Sequence, residues 1–112
     1  MTNMTNFKDI KDNAKKLTES IEKLFMDYMK YFLDTEEERE INSESLNILL
    51  PYETLRDCLN ALGYEEDEES LDLNGWQNDY WQTFNNDEKD PETLYISGTM
   101  SDGRFAISKD DE

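Results

Sequence analysis

The chain has 112 residues, of which 28 are Asp or Glu, 11 are Lys or Arg and none is His, for a formal net charge of −17. The length suits one domain, 1–112, and the charge excludes nucleic acid and membrane surfaces as direct ligands, because the protein's own field repels both. The lack of His removes the commonest general base, the usual hydrolase triads and His-based metal sites.

Hydrophobic residues make up 36% of the chain, below the usual share. They are large ones, Leu, Ile, Phe, Tyr and two Trp, so a folded domain with a thin core is expected rather than a disordered chain. The charge is uneven. Residues 1–34 hold six Lys and six acids, whereas residues 35–112 hold five bases and 22 acids. The single Cys, Cys58, allows no internal disulfide, and a reducing compartment is the simplest reading. With no apolar leader-type run and no stretch of about 20 apolar residues, the expected location is cytoplasmic.

From about Asn6 to Leu33 the spacing predicts a long amphipathic helix. Phe7, Ile10, Ala14, Leu17, Ile21, Leu24, Tyr28 and Tyr31 follow one another in steps of three and four, a heptad seam. Phe25, Met29 and Phe32 widen the stripe toward the C-terminal end, which suits packing on the domain's own sheet there. The narrower N-terminal half is left freer, so the chain is a monomer or a homodimer through this helix. Thr35 with Glu38 three residues on reads as a capping box that starts a short second helix. Leu46, Ile48, Leu49 and Leu50 fit a buried strand or a helical turn equally. Pro51 then opens a further helix with Tyr52, Leu55, Leu59 and Leu62 on one face, ended by a left-handed Gly63. Short helices are thus expected over 35–64.

Glu65, Glu66, Asp67, Glu68 and Glu69 form an unbroken acidic run, expected as a loop or exposed edge over 65–70. Residues 71–109 read as antiparallel strands. Leu71 and Leu73 alternate, Asn74-Gly75 is a turn signal, and Trp76 to Phe84 is rich in aromatics. Thr93–Met100 and Arg104–Ser108 form a hairpin about Asp102-Gly103, and 110–112 is an acidic tail. The whole is α+β: a long N-terminal helix and one or two short helices packed on a C-terminal antiparallel meander.

Nothing in the chain points to an enzyme, a cofactor or a metal site. Cys58 has no His to activate it and reads as a small core residue. There is no phosphate-binding glycine loop. Calcium-loop spacing fails at the third ligand from Asp67 and sooner from Asp87. Asp79, between Trp76 and Trp81, is the only carboxylate set among aromatics in the way a glycosidase needs.

The acids themselves are the candidate binding surface. On a helix, Glu36 and Glu40 fall about 5–6 Å apart; on an extended segment, Glu65, Asp67 and Glu69 share one side. Such rows resemble the phosphates of a nucleic-acid strand, which a basic groove accepts with fast, salt-sensitive association. The expected partner-binding residues are Glu36, Glu37, Glu40, Glu65, Glu66, Asp67, Glu68 and Glu69, with Asp87, Glu88 and Asp90 as a further patch. Trp76, Tyr80 and Trp81 are too many for one core layer, so at least one is expected at the surface, and Trp76 and Tyr80 are added as aromatic anchors.

In size, acidity, lack of enzyme motifs and acidic runs at 36–40, 65–69 and 110–112, the chain resembles the small acidic DNA-mimic inhibitors of phages and mobile elements. These include anti-restriction and anti-CRISPR proteins and inhibitors of DNA repair enzymes. The resemblance covers the character of the whole chain and rests on no motif, so it carries no residue roles. It implies a non-enzymatic inhibitor that blocks the basic groove of a nucleic-acid-binding protein, a nuclease or Cas effector of host defence, in the host-cell cytoplasm. An immunity protein or antitoxin that neutralises a basic toxin has the same physics and is the alternative expectation.

Overall fold

The computed structural model describes residues 6–74 and 79–109. Helix α1, Phe7–Asp34, begins where the Asn6 side chain accepts the Asp9 amide at 2.9 Å, an N-cap. It ends where the Thr35 hydroxyl donates to the Tyr31 carbonyl at 2.8 Å and the backbone turns extended. That back-bond contradicts the capping box expected at Thr35. Residues 35–39 are a connection, and the chain then enters strand β1, Glu40–Asn42. Two short helices follow, α2 at Ser43–Leu46 and α3 at Tyr52–Ala61. Asn47 closes α2 in the left-handed conformation. This resolves the ambiguous Leu46–Leu50 stretch as a helical turn and an irregular segment.

The remaining strands are β2 (Glu65–Glu66), β3 (Asp72–Asn74), β4 (Asp79–Asn85), β5 (Thr93–Thr99) and β6 (Phe105–Ser108). They make one six-stranded antiparallel sheet in the order β1-β6-β5-β4-β2, with β3 also pairing β4. The fold is α+β: a long N-terminal helix and two shorter ones with an antiparallel sheet. Among the described residues no helix is long and apolar enough to cross a membrane.

Strand alternation splits this sheet into two unlike faces. Across it, Ile41, Ile107, Ile96 and Gln82 form one row and Phe105, Gly98 and Tyr80 another, with Leu94 beside Phe84. These face the helices and are buried, apart from the partly exposed Gly98. From α1 only Phe25, Met29 and Phe32 are fully buried among them, with Leu55, Cys58 and Leu59 from α3. Phe25 meets Phe105 edge-on at 5.6 Å between ring centroids, and Lys109 lies over Phe32 at 4.4 Å. Among the described residues fifteen buried side chains form the core, with partly buried ones such as Ile21 and Met26 packed against it.

The long helix therefore does two different things. Its C-terminal half packs on the sheet. Its N-terminal half packs on nothing among the described residues: every residue from Asn6 to Ser20 is exposed, Phe7 to 73% and Leu17 to 64%. The radius of gyration is 16.1 Å, against about 13 Å for a compact chain of this length. The longest extent is 58 Å and the next 35 Å. The difference is close to the ~22 Å of fifteen helical residues.

Candidate partner-binding surface

The acidic run and the acidic loop, twenty residues apart in sequence, meet at one end of the sheet. Glu65 and Glu66 pair with Asn85 and Phe84 of β4, which carries straight into the loop 86–92. The loop is closed by the Asn86 amide on the Glu92 carbonyl at 2.8 Å, and the Asn86 side chain accepts the Glu88 amide at 2.9 Å. The same side chain donates to the Gly63 carbonyl at 2.8 Å and ties the loop to the end of α3. Gly63 has φ +96° and a Cβ there would meet Asn86 Nδ2 at 2.8 Å, so glycine serves both the turn and this tie.

An open groove of about 500 Å³ results, lined by Glu65, Glu66, Asp67, Asp87 and Glu88 together with Gly63, Asn85 and Asn86. Residues 63–92 contain eleven acids and a single base, Lys89. The ammonium of Lys89 lies 5.8 Å from the centre of the Tyr64 ring. Tyr64 is buried and donates its hydroxyl to the Pro91 carbonyl at 2.6 Å, fixing the far side of the loop. Burial first, and the Asp90 carboxylate second, raise its hydroxyl above the ordinary tyrosine value.

The carboxylates are not the regular row that an extended segment would give. Asp67 accepts the Glu69 amide and caps a 3-10 turn, Glu68–Ser70, so Glu68 and Glu69 leave the line of Glu65 and Asp67. The turn is held against β4 by the Thr83 amide, which donates to the Ser70 hydroxyl at 2.9 Å. Glu66 points to the helix side: burial first, and then the Glu66 carboxylate, raise the Tyr52 hydroxyl above its ordinary value.

Glu36 and Glu37 are exposed in the connection after α1, and Glu40 pairs with Ser108 at the opposite edge of the sheet. Their expected helical i,i+4 spacing does not occur, since no helix begins at Thr35. They form a second acidic edge, apart from the groove.

Tyr80 is not an anchor. It is 1% exposed, lies on the helix-facing side and meets Tyr52 at 4.9 Å between rings. Burial raises its hydroxyl far above the ordinary tyrosine value. Trp76 lies outside the described residues. The exposed aromatic of strand β4 is Trp81, at 62%, on the opposite side of the strand. There it heads a row of Asp72, Trp81, Ser97, Ala106 and Asn42, next to a row of Thr83, Tyr95, Ser108 and Glu40. None of these side chains is buried, so among the described residues nothing covers this face of the sheet. The alternation within β4 itself was the signal for Trp81: Tyr80, Gln82 and Phe84 share a face, and Trp81 and Thr83 share the other.

Among the described residues no cluster of three or more His, Cys, Asp or Glu side chains is placed to hold a metal ion. Cys58 is buried, and burial, aided by the Glu22 and Asp57 carboxylates, pushes its thiol up to about 11. A thiol held protonated in this way is a poor nucleophile.

No protein-family model, no curated protein and no solved structure matches the chain.

Proposed function

We propose that this protein is a non-enzymatic inhibitor that occupies the basic nucleic-acid-binding groove of another protein, foremost a nuclease of host defence, in the manner of a DNA-mimic anti-restriction or anti-CRISPR protein. The observation that carries this reading is the convergence of Glu65–Asp67 with Asp87 and Glu88 around one groove, beside an open sheet face bearing Trp81. Duplex DNA carries one negative charge per ~1.7 Å of axis, and a groove built to neutralise it is lined with Lys and Arg. Eleven acids within thirty residues supply a comparable charge to such a groove.

The open face adds what charge alone lacks. Trp81 lies four residues along β4 from Asn85, about 13 Å from the acidic end. A protein can engage both at once, with Trp81 as a buried anchor and the carboxylates as a charged rim. The charges would govern association rate and salt dependence, and the aromatic would govern residence time.

The test is capture of partners from host lysate on the tagged protein, with low- and high-salt washes. The wild type is compared with a Glu65→Lys/Asp67→Lys/Glu69→Lys variant and with Trp81→Ala. One nucleic-acid enzyme retained by wild type, released by salt and lost with the triple variant is the expected result. Inhibition of that enzyme, relieved by competing DNA or RNA, completes it. A partner that survives high salt and ignores the triple variant overturns charge mimicry. A secreted or plasmid-borne toxin as the partner replaces defence inhibition with immunity.

A further inference from the structure

The projecting half of α1 is an apolar seam without a partner among the described residues. Helices of fewer than about 12–15 residues are marginal in water without packing, and Asn6–Ser20 receives none from the described residues. With Phe7 as position a, the seam residues Phe7, Ile10, Ala14, Leu17, Ile21 and Leu24 alternate between a and d. The flanking e and g positions over this stretch are Lys11, Asn13, Thr18 and Ser20, with Asn6 at the start. Only one of them is charged. The charges Lys8, Asp9, Asp12, Lys15, Lys16 and Glu19 all fall on the outer b, c and f positions. In a chain that is 35% charged, a flank with Lys11 as its single charge beside an apolar seam suits a helix–helix contact.

We propose that this seam binds the same seam of a second copy of the chain, antiparallel, to form a reversible homodimer. The proposal is independent of the reading of the acidic groove. Three observations favour a second copy. First, residues 1–34 hold six Lys against six acids, a balance of zero in a chain of net charge −17. Two copies can meet there without the repulsion that the acidic surfaces would bring.

Second, the seam is self-complementary in the antiparallel sense. One register places Phe7 against Leu24 of the second copy, Ile10 against Ile21 and Ala14 against Leu17, and then repeats by symmetry. All six residues are used, and the small Ala14 faces a large Leu17. The flanking pairs in this register, Lys11 with Thr18 and Asn13 with Ser20, contain no like charges. A parallel pair would instead set Ala14 on Ala14 and leave a gap.

Third, the antiparallel arrangement puts the two acidic sheets at opposite ends of a bundle about 27 Å long. That is several times the ~8 Å over which charge is felt at physiological salt.

The site continues into the body of the domain. Next to Ile21, which is half-buried, an open groove of about 610 Å³ is lined also by Ile48, Leu49 and Asn47. Leu24 and Leu49 are 47% and 57% exposed. The N-terminal end of the second copy, with Phe7 and Ile10, reaches this level in the register above. A two-helix contact of this length lies near the small end of specific interfaces. The dimer is therefore expected to dissociate on dilution, with a constant on the order of micromolar.

Sedimentation velocity tests this across protein concentrations from about 1 µM to 1 mM. The mass should rise from 13.3 kDa toward twice that value. An Ile10→Glu/Leu17→Glu variant should stay monomeric at every concentration. Both positions are exposed, so its thermal midpoint at low concentration should match wild type. Orientation is read by oxidative cross-linking of separately made Phe7→Cys and Leu24→Cys chains; the native Cys58 is buried and can remain. The mixed pair should cross-link at least tenfold more than either chain with itself. A wild type monomeric at the highest concentration overturns the proposal, and so does a dimer that survives the double Glu variant. Preferential Phe7→Cys self-cross-linking overturns the antiparallel register.

Discussion

Tyr80 has a buried hydroxyl with no hydrogen-bond partner among the described residues, and its environment explains why nothing larger than glycine sits opposite. At Gly98 an added Cβ would lie 2.2 Å from the Arg104 carbonyl oxygen and 2.6 Å from the Tyr80 hydroxyl. Two substitutions separate the effects. Tyr80→Phe removes an unsatisfied polar atom and keeps the ring against Tyr52, so it should stabilise the protein by about 1 kcal/mol in urea unfolding. Gly98→Ala overpacks backbone against backbone and should cost at least about 1–3 kcal/mol in the same assay. Neither Tyr80 nor Trp81 is told apart by composition, since both are large aromatics in one run. Their difference lies in the two-residue period of β4, where Phe84 and Gln82 fix which side is covered. That period was legible in the sequence; what it faced was not, because the covering side chains come from α1 and α3, over twenty residues away.

The two halves of α1 differ although one unbroken heptad pattern runs through both. The distinction lies in the width of the stripe: Phe25, Met29 and Phe32 add a second apolar row only in the C-terminal half. Truncation should follow the same line. Phe25→Ala removes a fully buried ring that packs on Phe105 and should cost roughly 3–5 kcal/mol. Phe7→Ala, measured well below the dimer's dissociation constant, should cost almost nothing. The helix, the β5–β6 hairpin and the acidic edge were readable from local periodicity and turn residues. Strand β1 was not. Its three residues are held by pairing with β6, Glu40 on Ser108, and no local pattern reports a partner 68 residues downstream. The same non-locality hid the acidic groove: Asn86 joins the loop to Gly63 through one side-chain hydrogen bond.

A molecule with net charge −17 folds against its own repulsion, so its stability should depend on solution conditions more than its contacts suggest. Screening shortens the range of that repulsion, and the thermal midpoint should rise steadily with NaCl. Lowering the pH from 7 to about 5 should act in the same direction as carboxylates begin to protonate. Alkali acts through different groups. Burial raises the folded-state values of Tyr52, Tyr64 and Tyr80, and moves Cys58 from 9.0 to about 11. A raised folded value means stability that is present in full below the unfolded value and is lost as pH rises through the folded one. The Cys58 contribution should therefore fade between pH 9.0 and about 11, with the tyrosines following. Asp27 and Asp102 have the opposite sign. Each is lowered, Asp27 chiefly by its hydrogen bond to Lys23 and Asp102 chiefly by the Arg104 amide. Their small contribution is present above the ordinary carboxylate range and is lost as pH falls through the lowered values. Thermal scans from about pH 2 to about 12 at two salt concentrations would follow all three behaviours.

The sheet ends in strands too short to recruit another. β1 has three residues and β2 has two, and each begins with or consists of glutamate: Glu40 on one side, Glu65 and Glu66 on the other. Short, charged borders of this kind discourage strand-by-strand growth into fibrils. The carboxylates that would attract a basic partner thus also serve as gatekeepers of solubility. A variant carrying Gln at these positions would lose both roles together, and its failure in a binding assay would say little about recognition. Lys keeps the border charged while reversing its sign, which makes the reversal, and not neutralisation, the informative change at this edge.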